Sequence, residues 1–164
     1  MNNPDAAGGP ANQRELGEAA AAHFATEALG EPAGTGRFVN VGSIESAELV
    51  AGLGFRPVLG QRVMANFVDF EPGVTAPRHV HEEEQLVIVL DGEFTFDIDG
   101  DVRVMRPGDV AVIPAWVPHS AWTTDSHCRE VDIFCPPRTT LLELASRQQA
   151  SAEAGSAGAE QRPA

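Results

Sequence analysis

The chain contains no lysine and no tyrosine. All 11 of its basic residues are arginines, so Schiff-base chemistry and amine general bases are excluded, and so is phenolic acid-base catalysis. Cations are scarce as well: 24 acidic residues leave a net charge of -13. Binding to nucleic acid or to an anionic membrane surface depends on neutralising phosphates with cations, so neither partner is expected, and small molecules or proteins remain. No apolar run of about 18 residues is present, and the opening MNNPDAAGGPANQ lacks both a basic n-region and an apolar h-region. A soluble, cytoplasmic protein is therefore expected. Cysteine is limited to Cys128 and Cys135, seven residues apart on what reads as one strand, too distant and oppositely facing to bridge. Both are expected to be reduced.

The 164 residues make one domain. Residues 1–11, rich in Pro, Gly, Ala and Asn, predict a disordered tail, and residues 12–30 a helix rich in Ala and Glu that Gly30 ends. Its Leu16, Ala20, Phe24 and Ala28 form one apolar stripe, beside which His23 has no neighbour at ligand spacing. Strand patterning begins at Arg37–Val41. Ser43 to Leu53 reads as a helical turn or a loop. Strands are then predicted at 55–59, 62–70, 85–90, 93–98, 102–106, 110–113, 119–123 and 128–135. The separators are turn formers such as Asp91-Gly92, Asp99-Gly100 and Pro107-Gly108, and Asp91-Gly92 reads as a type I′ hairpin. So many short strands with such turns predict an all-β sandwich or barrel over residues 37–138. Thr140-Leu141-Leu142-Glu143 has the pattern of a capping box and opens a short helix within residues 139–150; residues 151–164 predict a second disordered tail.

The chemistry is concentrated in GVTAPRHVHEEEQLVIVLDG, Gly73 to Gly92. Residues two apart on a strand share a face, so His79 and His81 aim two imidazoles at one point. Gln85 has the parity to add a carboxamide oxygen if the strand resumes after a bend at Glu82-Glu83-Glu84. Glu83 shares the parity of His81, and a different bend would make it a carboxylate ligand; the alternative is a solvated acidic turn. Further on, Asp132 and Phe134 share a face. If that face is the interior, Asp132 stands beside the metal as a proton shuttle, and Arg138, just past the strand, is placed to hold a substrate carboxylate bidentately. Asn66, on the otherwise apolar face of Met64, Val68 and Phe70, is a candidate pocket group or a satisfied core amide. His127 lies in a polar loop and reads as exposed.

The spacing resembles the first motif of the cupin superfamily. Gly73, His79, His81 and Gly92 match it, and Gln85 stands where most cupins have Glu. The second cupin motif is met at Gly108, Pro114 and His119, with Trp116 in a Gly position and Thr123 in an Asn position. The resemblance implies a single small jelly-roll barrel, commonly paired as a homodimer through sheet edges. The ending Asp132-Ile133-Phe134-Cys135-Pro136-Pro137-Arg138 is similar to that of the KdgF-like cupins, which ketonise unsaturated monouronates. That likeness implies metal ligands at His79, His81, Gln85 and His119, a substrate site at Asp132, Phe134 and Arg138, and proton transfer by Asp132.

Three imidazoles and one amide leave the charge of a bound divalent ion (Zn, Ni, Fe or Mn) uncancelled, which favours polarising an oxygen over changing redox state. The expectation is a metal-dependent, redox-neutral isomerase, ketonising or cyclising a small oxygenated substrate, acidic sugar-like or polyketide-like. The alternatives are an iron or manganese dioxygenase and a non-catalytic small-molecule-binding barrel.

Overall fold

Two antiparallel sheets pack around one apolar core, and the strands that form them alternate in burial as a half-buried pleat requires. The structure, a computed structural model, describes His23 and residues 30–159. The helix expected at residues 12–30 therefore lies almost wholly outside the described residues. Of the two units into which the chain divides, the first ends at Phe38, and its residues 30–38 hold no helix or strand. The second, residues 39–164, holds the barrel.

The larger sheet has six strands, β1 (Ala47–Val50), β2 (Leu53–Leu59), β3 (Met64–Phe70), β10 (Cys128–Cys135), β5 (Glu84–Gly92) and β8 (Val110–Ile113), in that spatial order. The smaller contains β4 (Thr75–His79), β9 (His119–Trp122), β6 (Phe94–Ile98) and β7 (Asp101–Met105). Met64, Asn66, Val68 and Phe70 all point inward from β3, as do Phe94 and Phe96 from β6 and Cys128, Glu130, Asp132 and Phe134 from β10. A polar face in the middle of the larger sheet is the feature that sets up the site.

Several sequence expectations are corrected. The alternating segment Arg37–Val41 forms no strand: it leads into one 3-10 turn at Val41–Ser43, whose first amides are tied by Asn40 through Gly42 N–H to Oδ1 at 3.0 Å. Strand β1 falls inside the segment expected to be a helical turn or loop. Asp91-Gly92 makes no hairpin, because β5 pairs with β10 and β8 while β6 belongs to the other sheet. Here the chain turns a corner between sheets. Gly92 has φ 72°, and a Cβ on it would lie 2.0 Å from the His127 carbonyl oxygen, so only glycine fits. The type I′ turn occurs instead at Asp99-Gly100, with φ 49° and 94°, joining β6 to β7.

The C-terminal helix is longer than expected. As α1 it runs from Thr139 to Ala159, well into the segment read as a tail. Leu141 and Ala145 are buried against the barrel, and Gln148 pairs with the backbone of β1: Glu48 N–H donates to Oε1 at 2.8 Å, and Nε2 donates to the Glu48 carbonyl at 2.7 Å. Thr123, in the position where the motif has Asn, also works through its side chain. Its hydroxyl donates to the Glu71 carbonyl and accepts from Val74 N–H at 3.0 Å, stitching the end of β9 to the β3–β4 turn.

The two thiols differ as their faces dictate. Cys128 points into the core, where burial above all, and then Glu130 and Asp91, push its thiol up to about 12; Cys135 is exposed. A thiol reagent should label one cysteine in the folded protein and two after denaturation, as counted by mass spectrometry. Fast double labelling of the native protein would contradict the described placement of Cys128.

Candidate metal centre and cavity

His79 closes β4 and stands directly opposite His119, which opens β9. The continuous strand expected through His79 and His81 does not form: β4 ends at His79 and the chain bends before β5. That bend brings the His81 ring to the same point. Ring centroids lie 4.3 Å apart for His79 and His119, 4.9 Å for His81 and His119, and 5.7 Å for His79 and His81. One nitrogen from each ring falls within 4.8 Å of the others, the arrangement of a group able to hold a metal ion.

The outer nitrogens fix which atoms face inward. His79 Nδ1 meets the Pro77 carbonyl at 2.8 Å, His81 Nδ1 the Glu83 carbonyl at 2.9 Å, and His119 Nδ1 the Val117 carbonyl at 2.8 Å. A carbonyl only accepts, so each Nδ1 carries the proton and each Nε2 presents a lone pair, the orientation metal-bound imidazoles need. Burial lowers all three pKa values, with the nearby Arg138 charge adding to it, and takes His119 down to about 4. The rings are therefore neutral at neutral pH, and His119 Nε2 is buried with no partner among the described residues.

Gln85 completes the case for fit. Its Nε2 donates to Asp132 Oδ1 at 2.5 Å, so its oxygen is the atom turned to His81 Nε2 at 2.9 Å. Two lone pairs then face each other. Such a contact is favourable when a cation lies beside both, so the donor set suits a divalent ion held by His79, His81, His119 and the Gln85 oxygen.

Glu83 departs from the acidic-turn reading. Glu82 and Glu84 are exposed, but Glu83 is buried, its carboxylate 3.4 Å from His81 Nδ1 on the outer side of the ring and close enough to Arg138 to interact with its charge. It props a ligand and is not one of the grouped donors.

Beyond the histidines a cavity of about 310 Å³ opens between the sheets. Asp132, Phe134, Arg138 and Asn66, the remaining residues singled out from sequence, all line it. Arg138 is half-buried over the Phe134 ring, 5.6 Å from its centroid. Burial raises Asp132 to about 6, against the hydrogen bonds from Gln85, Glu130 and Asn66 and the charge of Arg138, which lower it. Sequence reasoning missed Glu130. It follows Asp132's face two residues earlier on β10, and the alternation along that strand was the signal for it. Burial and then the Asp132 charge hold Glu130 well above the usual carboxylate range, as a neutral acid that donates to Asp132.

Trp116 occupies the Gly position of the second motif and keeps that position's backbone, with φ 65°. Its amide donates to the His81 carbonyl at 2.8 Å, and its side chain is 64% exposed. An L-residue held there costs about 1–2 kcal/mol, so Trp116→Gly should raise stability by about 1 kcal/mol in a urea titration. A loss of stability would show that the indole packs more than its exposure indicates.

A barrel of this topology with three histidines at one end defines a metal-binding cupin. A family model of the Cupin domain matches residues 66–134, and together with the structural neighbours it supports assigning the chain to the cupin superfamily. Among solved structures it is similar to KdgF from Halomonas sp., with 28% identity and a TM-score of 0.62 over 65% of this chain and 99% of that one. An RmlC-like cupin from Shewanella frigidimarina NCIMB 400 gives 26% identity and a TM-score of 0.60 over 65% and 96% of the two chains. The polyketide cyclase RemF from Streptomyces resistomycificus shares the fold, at 21% identity and a TM-score of 0.56 over 62% and 80%. A curated relative, the cupin-domain-containing oxidoreductase fogC of Aspergillus ruber (strain CBS 135680), is 40% identical over 50 residues, which span 30% of this chain and 25% of that protein. Among the described residues no helix is long and apolar enough to cross a membrane.

Proposed function

We propose that this cupin is a metal-dependent, redox-neutral isomerase that ketonises or cyclises a small substrate carrying an enol or hydroxy-carbonyl group. The observation that carries this reading is the placement of Asp132: a carboxyl in the cavity, one hydrogen bond of 2.5 Å from Gln85 and thus from the histidine group. His79, His81, His119 and Gln85 would hold one divalent ion, which when bound supplies Lewis acidity toward a substrate oxygen. The chain's own residues do the rest. Asp132, raised to about 6, is poised to take and return a proton near neutral pH. Its Gln85 and Asn66 partners hold the carboxylate in one orientation. Arg138, stiffened on the Phe134 ring, binds an anionic group of the substrate, while Phe134 and the apolar walls exclude water.

The likeness to KdgF supports a ketonisation and the fold shared with RemF brings cyclisation into the screen. The matching experiment is elemental analysis of the protein as isolated, with an anaerobic screen of unsaturated uronates, read by absorbance loss, and of hydroxylated polyketide-like acids, read by mass. Conversion without oxygen is the expected result. A second reading, an iron or manganese oxygenase, is favoured by the 40% identity to the fogC segment; turnover that stops without oxygen and consumes it when supplied would establish it in place of the first. Tight binding with no product under any metal would leave a binding module. In each case the protein is read as a homodimer acting on a small molecule in the cytoplasm.

A further inference from the structure

The cavity does not match a sugar over its whole length. Away from the histidines its walls are Leu53, Val68, Phe70 and Phe94, with Leu141 from α1, all buried and without polar atoms to meet a ring of hydroxyls. Between the histidine end and this apolar stretch two oxygens stand out. Asn66 Oδ1 and Glu130 Oε2 are buried and meet no hydrogen-bond partner among the described residues, although their residues are only 1% and 4% exposed. Each residue's other polar atom is engaged, since both Asn66 and Glu130 hydrogen bond Asp132. A buried oxygen left unmet is destabilising, and here two lie on one cavity wall.

Their position follows from the register. Gln85 pairs with Phe134, Asn66 pairs with Asp132, and Glu130 is the next inward residue along β10. Asn66 and Glu130 therefore lie roughly 7 and 13 Å along the strand from the Phe134 end, where Arg138 and the histidines sit. Both unmet atoms accept: the first is an amide oxygen, and the second is the carbonyl oxygen of an acid whose proton goes to Asp132.

We propose that Asn66 and Glu130 form a hydroxyl-binding subsite partway along the cavity, on the wall that carries Asp132. The substrate class this defines is an elongated ring acid: an anionic or enolic head at Arg138 and the histidines, a ring hydroxyl that donates its one proton to Asn66 Oδ1 or Glu130 Oε2, and a hydrocarbon end beyond them among Leu53, Val68 and Phe70. This rests on the reading of the cavity as the substrate site, and narrows it away from polyhydroxylated sugar acids.

The test is calorimetric binding of a matched set to the protein as isolated: 6-hydroxy-2-naphthoate, 2-naphthoate and galacturonate. One hydrogen bond to an otherwise unmet buried oxygen should make the hydroxylated probe bind about tenfold more tightly than its parent, with galacturonate the weakest. Whichever of Asn66→Leu and Glu130→Leu removes the oxygen that the hydroxyl reaches should erase most of that difference, and no loss in either would overturn the subsite. Glu130→Gln, which keeps one donor for Asp132 and one carbonyl oxygen for the probe, should keep the difference, whereas a purely structural role would not discriminate between the two naphthoates. Equal affinity for both naphthoates in the unmutated protein would mean that a bound water alone serves these oxygens and would overturn the subsite, whatever the variants do. Tighter binding of galacturonate would overturn the substrate class. Because no turnover is read, a protein that discriminates the probes but converts nothing keeps this subsite while losing the isomerase reading.

Discussion

Replacing Asp132 by Asn is expected to lower turnover by about 10²–10⁴-fold while leaving the metal content of the protein and its melting temperature nearly unchanged. The reasoning is geometric. Asn keeps the volume of Asp, and its side-chain oxygen still accepts from Gln85, so the histidine group is not disturbed. What disappears is a carboxyl able to carry a proton near neutral pH. Elemental analysis of the variant separates the outcomes. Loss of metal together with activity would mean that the carboxylate holds the centre together, and full activity would remove Asp132 from the chemistry.

The second large effect concerns Gln85. Restoring the family's usual residue with Gln85→Glu should be harmful here, although the motif would then match fully. The amide donates to Asp132 at 2.5 Å, and a carboxylate cannot. Three acidic groups would then share one buried wall, Glu130 being already held neutral by its neighbour and by burial. The sign is fixed by like-charge repulsion: the carboxyl pKa values of the set move further up, so Asp132 keeps its proton to higher pH. Turnover at neutral pH should fall about tenfold or more, with the acidic limb of the pH-rate profile displaced upward. Metal retention against a chelator should improve at high pH, since the added carboxylate offers the ion a negative charge. An unshifted profile would show that the Gln85–Asp132 contact does not control the proton. This contact also accounts for the departure from the family pattern: the amide is the residue type that can face the ion with its oxygen and Asp132 with its nitrogen.

Much of this was legible in the sequence because the relevant signals are local. His-x-His spacing, the glycines at turns, and alternation along β3, β6 and β10 follow from backbone geometry alone; the shared face of Asp132 and Phe134, whose direction the sequence leaves open, is the inner one, as is that of Asn66. What escaped depended on contacts distant in the chain. Asp91-Gly92 has the composition of a hairpin, and only the pairing of β5 with β10 shows it to be a corner against His127. Glu83 sits in a run of three glutamates that charge alone marks as solvated; its burial comes from His81 and Arg138. Glu130 was overlooked because a buried neutral acid is costly to expect without seeing the carboxylate that accepts its proton. Strand β1 is short, has one buried residue, Ala47, and is held partly by a helix a hundred residues away, so no local pattern announces it.

That last attachment bears on how one edge of the larger sheet is kept from pairing with stray strands. The outermost strand of the larger sheet would otherwise offer free amide and carbonyl groups to any extended chain in solution, and Gln148 satisfies one N–H and one C=O at Glu48 with a single side chain. A chain ending before Thr139 would therefore lose more than the apolar cover of Leu141 and Ala145. It would expose a sticky seam, and the C-terminal helix is the guard that keeps the β1 edge from adding borrowed strands.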